Sequence, residues 1–255
     1  MPTGTLSFDL AAVAVLACLG IGAVLLGLGS LVPATASRAR PLWPVFATEC
    51  VIVAGALLPF ALGPPWLDVL LGLFAVRIGY EAMHVAGRRW PGETAAGRMR
   101  LAVEVAIFPA LPVFLFVMVA SAPGNAGVVL VSFLLVETYD SYALLGGKLF
   151  GRRPAFPRLS PRKTVEGLVA GAVMLGLTAA LAGPLVVDWS IGASLSAAIL
   201  IAVTAIAGDL AGSRLKRASG VKDYPQVLPR QGGLLDIADA WLIAAPALVW
   251  LAGLW

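Results

Sequence analysis

Carboxylates in the last quarter of the chain could together bind a metal ion. Asp209, Ser213 and Lys216 are spaced at i, i+4 and i+7, so they share one face of a helix. Asp236 and Asp239 follow at i, i+3 in the next apolar segment. If the two segments pack together as helices, their carboxylates can converge on one divalent cation. Magnesium suits such a site, because it takes one or two carboxylates together with phosphates of a substrate.

The loop between these two segments is rich in cations and ends in paired glycines. Four basic residues could offset the charge of phosphate groups: Lys216, Arg217, Lys222 and Arg230. Gly232 and Gly233 would allow a phosphate to approach the backbone closely. The alternative interpretation gives these groups structural roles only. In it, Asp209 pairs with a basic neighbour, while Asp236 and Asp239 complement the positive end of a helix.

A second polar segment lies earlier in the chain and has a similar character. It runs from Asp140 to Gly151 and is followed by a basic loop and by Ser160 to Gly167, SPRKTVEG. Thr164 can cap the helix that follows, and Lys163 places a cation beside the N-terminus of that helix. Amide donors, helix dipole and charge can together hold a phosphate. The alternative is an ordinary basic loop followed by a capped helix.

These two segments resemble the signature of the integral-membrane phosphatidate cytidylyltransferases, or CDP-diacylglycerol synthases. The resemblance is carried by GDL at Gly208, Ser213 followed by LKR, Lys222-Asp223 and the Gly232-Gly233 pair with its two aspartates. It implies an all-helical membrane enzyme that joins CTP to phosphatidic acid, giving CDP-diacylglycerol and pyrophosphate. It also implies magnesium, with a second cation as an open alternative, and a homodimer.

The resemblance also implies roles for individual residues. Asp209 and Asp236 would bind the metal and would act in catalysis with Lys216 and Asp239. Residues that would bind the nucleotide or the lipid phosphate are Asp140, Lys148, Ser160, Lys163, Thr164, Ser213, Arg217, Lys222, Asp223, Arg230, Gln231, Gly232 and Gly233.

The chain departs from the family pattern close to these residues. Gln231 stands where the family usually has His, and Ile237 stands where it usually has Arg. Further departures surround Asp140, where Trp, Asn, Gly and Tyr are replaced by Glu137, Tyr139, Tyr142 and Leu144. Three alternatives therefore stay open: an enzyme for another lipid or isoprenoid phosphate, a catalytically silent paralogue, and an ion-coupled transporter, since intramembrane carboxylates also mark ion pathways.

The composition predicts a membrane protein. Of 255 residues, 60% are hydrophobic and 13% charged, with a mean hydropathy of +0.92, whereas soluble domains are about 45–50% apolar. The net charge of +4 could suggest a nucleic-acid partner. The basic residues cluster in alternate loops, however, so we expect membrane lipids and no nucleic acid.

About eight apolar stretches are long enough to cross a membrane. We predict spans at 8–32, 45–63, 65–87, 98–120, 126–148, 165–187, 190–215 and 234–254. By the positive-inside rule, the basic loops are cytoplasmic and both termini lie outside. We therefore expect one membrane domain, 1–255, in a bacterial inner membrane. Residues 1–125 would supply N-terminal helices, and residues 126–255 would form the catalytic half facing the cytoplasm.

Ionisable residues inside the apolar stretches of the first half invite a separate expectation. Arg77 lies near a helix end, where it can snorkel or pair with Glu81 at i+4. Glu49 and Glu104 are expected either to serve a function or to pair inside the bundle.

Overall fold

The protein is a bundle of long helices. The computed structural model describes residues 7–186, 189–229 and 231–253. The helices within these ranges are α1 (Phe8–Leu31), α2 (Pro33–Ala39), α3 (Trp43–Leu62), α4 (Trp66–Arg89), α5 (Ala95–Val105), α6 (Leu111–Ser121), α7 (Ala126–Phe150), α8 (Val165–Val186), α9 (Ile191–Ala218) and α10 (Leu234–Leu251).

Seven helical segments of the described chain are long and apolar enough to cross a membrane. They begin and end within a few residues of the predicted spans, except at Arg40–Leu62 and Trp66–Gly92, where short 3-10 turns extend the helix. The remaining predicted span corresponds to α8, which is apolar over the described stretch Val165–Leu181. The prediction of an all-α, polytopic integral membrane protein is confirmed.

Side-chain caps explain where several helices begin. The hydroxyl of Ser7 accepts a hydrogen bond from the amide of Leu10, and that of Ser190 accepts one from Ala193, both at 3.2 Å. Each satisfies an amide that has no partner inside the first turn. At the other end of α3, Gly63 adopts φ 64°, a left-handed conformation that favours glycine and ends the helix.

The centre of the bundle is α10, which packs against α4, α6, α7 and α9. Its residues Leu235, Leu242 and Leu248 are completely buried. The indole of Trp241 donates to the carbonyl of Val129 at 3.1 Å and so ties α10 to α7. Helices α7, α8 and α9 pack on one another beside α10, while α1 and α3 lie at the periphery with many exposed apolar side chains. Such a surface is expected where lipid replaces water.

A two-stranded antiparallel hairpin joins α7 to α8. Its strands are β1 (Pro154–Phe156) and β2 (Ser160–Thr164), paired Pro154 to Thr164 and Phe156 to Ser160. The sequence predicted only a basic loop here. The carboxylate of Glu166, in the first turn of α8, accepts from the amides of Arg152 and Arg153 at 3.0 and 3.1 Å. The hairpin is thereby fixed to the start of α8.

Candidate active site

The hairpin places Lys163 beside α9. The Lys163 ammonium lies 3.0 Å from Oδ2 of Asp209. Thr164 caps α8 through its hydroxyl, which accepts from the amide of Gly167 at 3.1 Å, so the predicted cap is confirmed. The two polar segments identified in the sequence therefore meet. Lys163 of the first segment pairs with Asp209 of the second where α8 contacts α9.

Asp209 lies among other charges. The side chains of Asp140 and Asp239 are close enough to it to interact electrostatically, and Lys163 balances part of the negative charge. Oδ2 of Asp209 is buried and has no hydrogen-bond donor among the described residues, because Lys163 approaches it at ion-pair distance without hydrogen-bond geometry. A buried carboxylate oxygen without a donor is uncommon, and it is a suitable ligand for a cation.

Two glycines of α9 allow α10 to come this close. A Cβ atom on Gly208 would collide with the backbone carbonyl of Asp239, and one on Gly212 would lie 2.9 Å from Oδ2 of the same residue. Asp239 itself is 6% exposed, and its Oδ1 accepts from the amide of Ala240 at 2.7 Å. The helices therefore cross where Asp209 and Asp239 face one another.

Asp236 is held from several sides at the start of α10. Its Oδ2 accepts from the amides of Tyr224 and Gly233, both at 2.9 Å. Its Oδ1 contacts the ammonium of Lys216, forming an ion pair in which both side chains are almost buried. Asp236 thus caps α10 with one oxygen and presents the other to a cation, so the structural role considered for it from sequence is present.

The side chain of Tyr224 packs beside this ion pair. The Lys216 ammonium lies 5.2 Å from the centre of its ring, and its hydroxyl donates to the carbonyl of Gly212 at 3.3 Å. Burial raises the pKa of the Tyr224 phenol, and the charges of Asp239, Asp236 and Glu81 raise it further. The phenol therefore stays protonated and remains a donor. No motif or spacing in the sequence singled out this tyrosine.

Glu81 of α4 supports the same helix start from the opposite side. It is completely buried, and its two oxygens accept from the amides of Leu234 and Leu235 at 2.9 and 2.8 Å. Arg77 donates to Glu81 at 2.8 Å and to the carbonyl of Pro225 at 3.0 Å. The pairing of Arg77 with Glu81 is confirmed, while the contact with α10 was not foreseen.

The paired glycines are required by these carboxylates. A Cβ atom on Gly233 would lie 2.5 Å from Oε2 of Glu81, and Gly232 adopts φ 87° beside the Asp236 carboxylate. Contacts within the chain therefore explain why both positions are glycine. Their role in binding a phosphate stays a prediction.

Four other predicted site residues are not part of the contacts described above. On α9, Ser213 is buried next to the cluster of charged residues. Lys148 is exposed in the last turn of α7, and Ser160 begins β2. The guanidinium of Arg217 donates to the carbonyl of Val221 at 3.0 Å. Arg230 lies outside the described residues.

Two further predicted residues border a polar concavity of about 460 Å³ on the other side of Tyr224. They are Lys222 and Asp223, and the same concavity is bordered by His84 and Arg88 at the end of α4. The concavity therefore has three basic side chains. His84 and Arg88 were not predicted to belong to the site.

Gln231 points to the first half of the chain. Its side-chain amide lies 3.5 Å from the hydroxyl of Thr48 and 3.4 Å from the carboxylate of Glu49. Glu49 also hydrogen-bonds to Glu137, one of the residues that departs from the family pattern. Two departures thus lie near one another.

Glu104 likewise pairs inside the bundle. Its carboxylate oxygens lie 3.3 Å from Arg89 and 3.4 Å from Arg214. Within the ranges that the structure describes, no three Asp, Glu, His or Cys side chains are arranged to hold a metal ion by themselves. Asp209 and Asp236 are instead each paired with a lysine, so the predicted pair of metal ligands stays a prediction.

Comparison with known proteins places this chain in a family. The family model described as the cytidylyltransferase family matches residues 5–255. A phosphatidate cytidylyltransferase of Rickettsia bellii is 28% identical over 80% of this chain and 90% of its own length. One of Staphylococcus aureus is 36% identical over 47% of this chain and 46% of its own length.

A protein of Escherichia coli called YnbB is 39% identical over 48% of this chain, and that alignment covers 41% of YnbB. The Rickettsia alignment spans nearly all of its protein, whereas the alignments with YnbB and the Staphylococcus protein span less than half of theirs. The match of the family model spans almost the whole chain and includes every residue of the cluster described above. The chain belongs to the cytidylyltransferase family.

Proposed function

We propose that this membrane protein transfers a cytidylyl group from CTP to phosphatidic acid, giving CDP-diacylglycerol and pyrophosphate, a step of phospholipid biosynthesis. The family and its relatives named as phosphatidate cytidylyltransferases support this function. The observation that carries it is the cluster at one end of the bundle, where Lys163 pairs with Asp209 and Lys216 with Asp236. Two lysines beside three aspartates can position anionic reactants whose charge a cation neutralises.

In the proposed reaction, an oxygen of the lipid phosphate forms a bond to the α-phosphorus of CTP. The bond from that phosphorus to the oxygen bridging to the β-phosphorus breaks, and pyrophosphate leaves with the bonding electrons. Lys163 and Lys216 hold the phosphates in place and stabilise the charge that develops on the leaving group. This chemistry needs positioning and positive charge, and it needs no covalent intermediate with the protein.

Magnesium fits the donors that the cluster provides. Among the described residues, Oδ2 of Asp209 has Lys163 at 3.0 Å but no donor in hydrogen-bond geometry, and Oδ1 of Asp236 contacts Lys216. Magnesium commonly binds through one or two carboxylates with substrate phosphates completing its shell, so a cluster without three protein ligands is compatible with it. We propose that Asp209 and Asp236 hold this ion and that Asp239 supports them. When bound, magnesium would neutralise the phosphate charge.

The polar concavity beside Tyr224 is a suitable place for further phosphate contacts. Lys222, Arg88 and His84 border it, and Tyr224 both lines it and packs beside the ammonium of Lys216. We propose that these basic groups contact the nucleotide phosphates. Asp140, Ser213 and Arg217 would support the phosphate sites, together with the other candidates predicted from the sequence, which are Lys148, Ser160, Thr164, Asp223, Arg230, Gln231, Gly232 and Gly233.

A different lipid phosphate is the second candidate substrate. Two departures from the family pattern support this candidate. Gln231, which stands where the family usually has histidine, contacts Thr48 and Glu49. Ile237, which stands where the family usually has a cation, borders an apolar groove. These changes alter the surroundings of the metal more than the aspartates themselves. An isoprenoid phosphate is the alternative acceptor to test first.

We further propose a bacterial inner membrane with the cluster facing the cytoplasm, and a homodimer. The orientation is supported by the basic residues, which gather at the loops of one side. The homodimer is supported by the family resemblance alone.

The direct test is incorporation of labelled CTP into lipid by the purified protein. We expect labelled CDP-diacylglycerol with phosphatidic acid and magnesium, and loss of product when magnesium is chelated. Product formed only with an isoprenoid phosphate would establish the second candidate. Absence of product with every acceptor, from protein shown to be folded, would contradict the enzyme and favour a silent paralogue or an ion-coupled transporter.

A further inference from the structure

An apolar groove of about 410 Å³ runs along the outside of the start of α10. One wall is α3 from Val51 to Phe60, and the other is α4 near Leu71 and Phe74. The floor is formed by Ile237 and Trp241 of α10. Because a helix rises about 1.5 Å per residue, the α3 wall is about 14 Å long.

One end of this groove lies next to polar groups. Leu228, which borders the groove, pairs with Gly232, and the amide of Val227 donates to the Gly232 carbonyl at 2.8 Å. Glu49 lies two residues before Val51 on α3, and its carboxylate contacts the side chain of Gln231. The groove therefore ends at the loop that carries the glycine pair, and its remaining length is lined by hydrocarbon side chains.

The groove and the charged cluster are two sides of the same helical turn. Asp236 faces Lys216 and Tyr224, while its neighbours Leu234 and Ile237 face the groove. A molecule with its phosphate at the start of α10 could therefore place a hydrocarbon tail in the groove. A lipid phosphate has this combination of charge at one end and hydrocarbon at the other.

Ile237 makes the end of the groove nearest Asp236 suitable for hydrocarbon. A cation at this position would have to be desolvated beside Trp241 and Phe74 to face the groove. Isoleucine instead adds apolar surface where a chain would leave the polar groups. Burial of each methylene group contributes to affinity, at about 0.8 kcal/mol.

Resting on the proposed function, we infer that this groove binds one hydrocarbon chain of the lipid phosphate substrate and that Ile237 selects for that chain. The occupant is the substrate itself, because one end of the groove adjoins the residues that would hold its phosphate.

Two glycines make a matched test possible. Gly55 borders the groove, and Gly72 lies on α4 outside its lining, with an exposed position. A Cβ atom at either position would meet no other atom within 4 Å. Gly55→Phe should therefore fill the groove without disturbing the helix, while Gly72→Phe places the same side chain toward lipid.

The measurement is the apparent KM for dioleoyl and for dihexanoyl phosphatidic acid in mixed micelles, with CTP saturating. Gly55→Phe should raise KM for the dioleoyl lipid by about tenfold or more, equivalent to excluding about two methylene groups. It should change KM for the dihexanoyl lipid and for CTP by less than about twofold. Gly72→Phe should behave as the unchanged protein with both lipids.

Several results would overturn this inference. If Gly55→Phe and the unchanged protein have equal KM values for the dioleoyl lipid, the hydrocarbon chain does not bind in the groove. The same conclusion follows if folded Gly55→Phe and Gly55→Leu variants lose activity equally with both lipids. A Gly55→Phe protein that changes from dimer to monomer would make the groove an interface between copies. An unchanged protein inactive with both lipids would refute the proposed function, and this inference with it.

Discussion

At the scale of single residues, two carboxylates with three partners each hold the start of α10. Asp236 receives two backbone amides on one oxygen and Lys216 on the other. Glu81 receives two amides of α10 and the guanidinium of Arg77. Such charge-assisted bonds are about twice as strong as neutral ones, and in an apolar bundle they replace the water that the charges have lost. The start of α10 is therefore fixed from both sides.

Glu81→Gln tests this arrangement, because it keeps the shape of the side chain and removes its charge. We expect the thermal unfolding midpoint of the purified protein to fall by about 4–8 °C, the size expected when bonds to a buried charge are weakened. The measurement is a thermal scan in detergent with magnesium present.

Glu93→Gln is the matched control, since Glu93 pairs with Arg89 at a partly exposed site. Exposed pairs contribute about 0–1 kcal/mol, so its midpoint should shift little. Equal shifts in the two variants would show that Glu81 does not support α10.

The residue contacts were predictable only where they are local. Arg77 and Glu81 are one helical turn apart, so their pairing follows from spacing. The contact of Glu81 with Leu234 joins residues 153 positions apart, and nothing in either segment indicates the other. Thr164 was predicted as a cap for the same local reason, whereas the partner of Lys163 depends on how α8 meets α9.

At the scale of helices, glycine determines how closely the site residues approach. Gly208 and Gly212 of α9 face Asp239 of α10. Gly167 of α8 has the same function against α7, where a Cβ atom would lie 2.6 Å from the carbonyl of Ala143. The length of each apolar stretch predicted the helices and their bounds. The side of each helix that carries the close contacts was not predictable, since small residues occur on several faces.

Gly208→Ala should therefore separate α9 from α10 and lower activity by about tenfold or more, since displacements near 1 Å can cost about a hundredfold in rate. The measurement is kcat of the purified variant. Gly192→Ala is the control, because a Cβ atom there would have its nearest contact at 4.0 Å, on the same helix. Wild-type kcat in Gly208→Ala would show that the crossing tolerates a methyl group.

At the scale of the whole molecule, the basic loops predict an orientation. The cluster lies where α8 begins, α9 ends and α10 begins, so all of these ends lie at the same membrane surface. We expect eight crossings, formed by the seven segments above and α8, so both termini should lie on the opposite side. The sequence indicated this through its alternating basic loops. It could not indicate the groove, because that depends on the packing of α3 and α4 against α10.

The orientation predicts that a C-terminal reporter active only in the cytoplasm will be inactive, and that one active only outside will be active. The paired reporters are to be fused after Trp255 and expressed in the same cells. Activity of the cytoplasmic reporter would reverse the orientation and would place the cluster away from CTP.

The proposed activity of the cluster around Asp209 and Asp236 is CTP-dependent transfer to a lipid phosphate. Its most direct test is the rate of CDP-diacylglycerol formation from labelled CTP by the unchanged protein, Asp209→Asn and Asp236→Asn, at equal amounts of folded protein. Each substitution removes an anionic ligand with little change of volume, so we expect a loss of about a thousandfold or more, comparable to removal of an electrostatic contact to the transition state. Turnover near that of the unchanged protein in both variants would contradict this proposal.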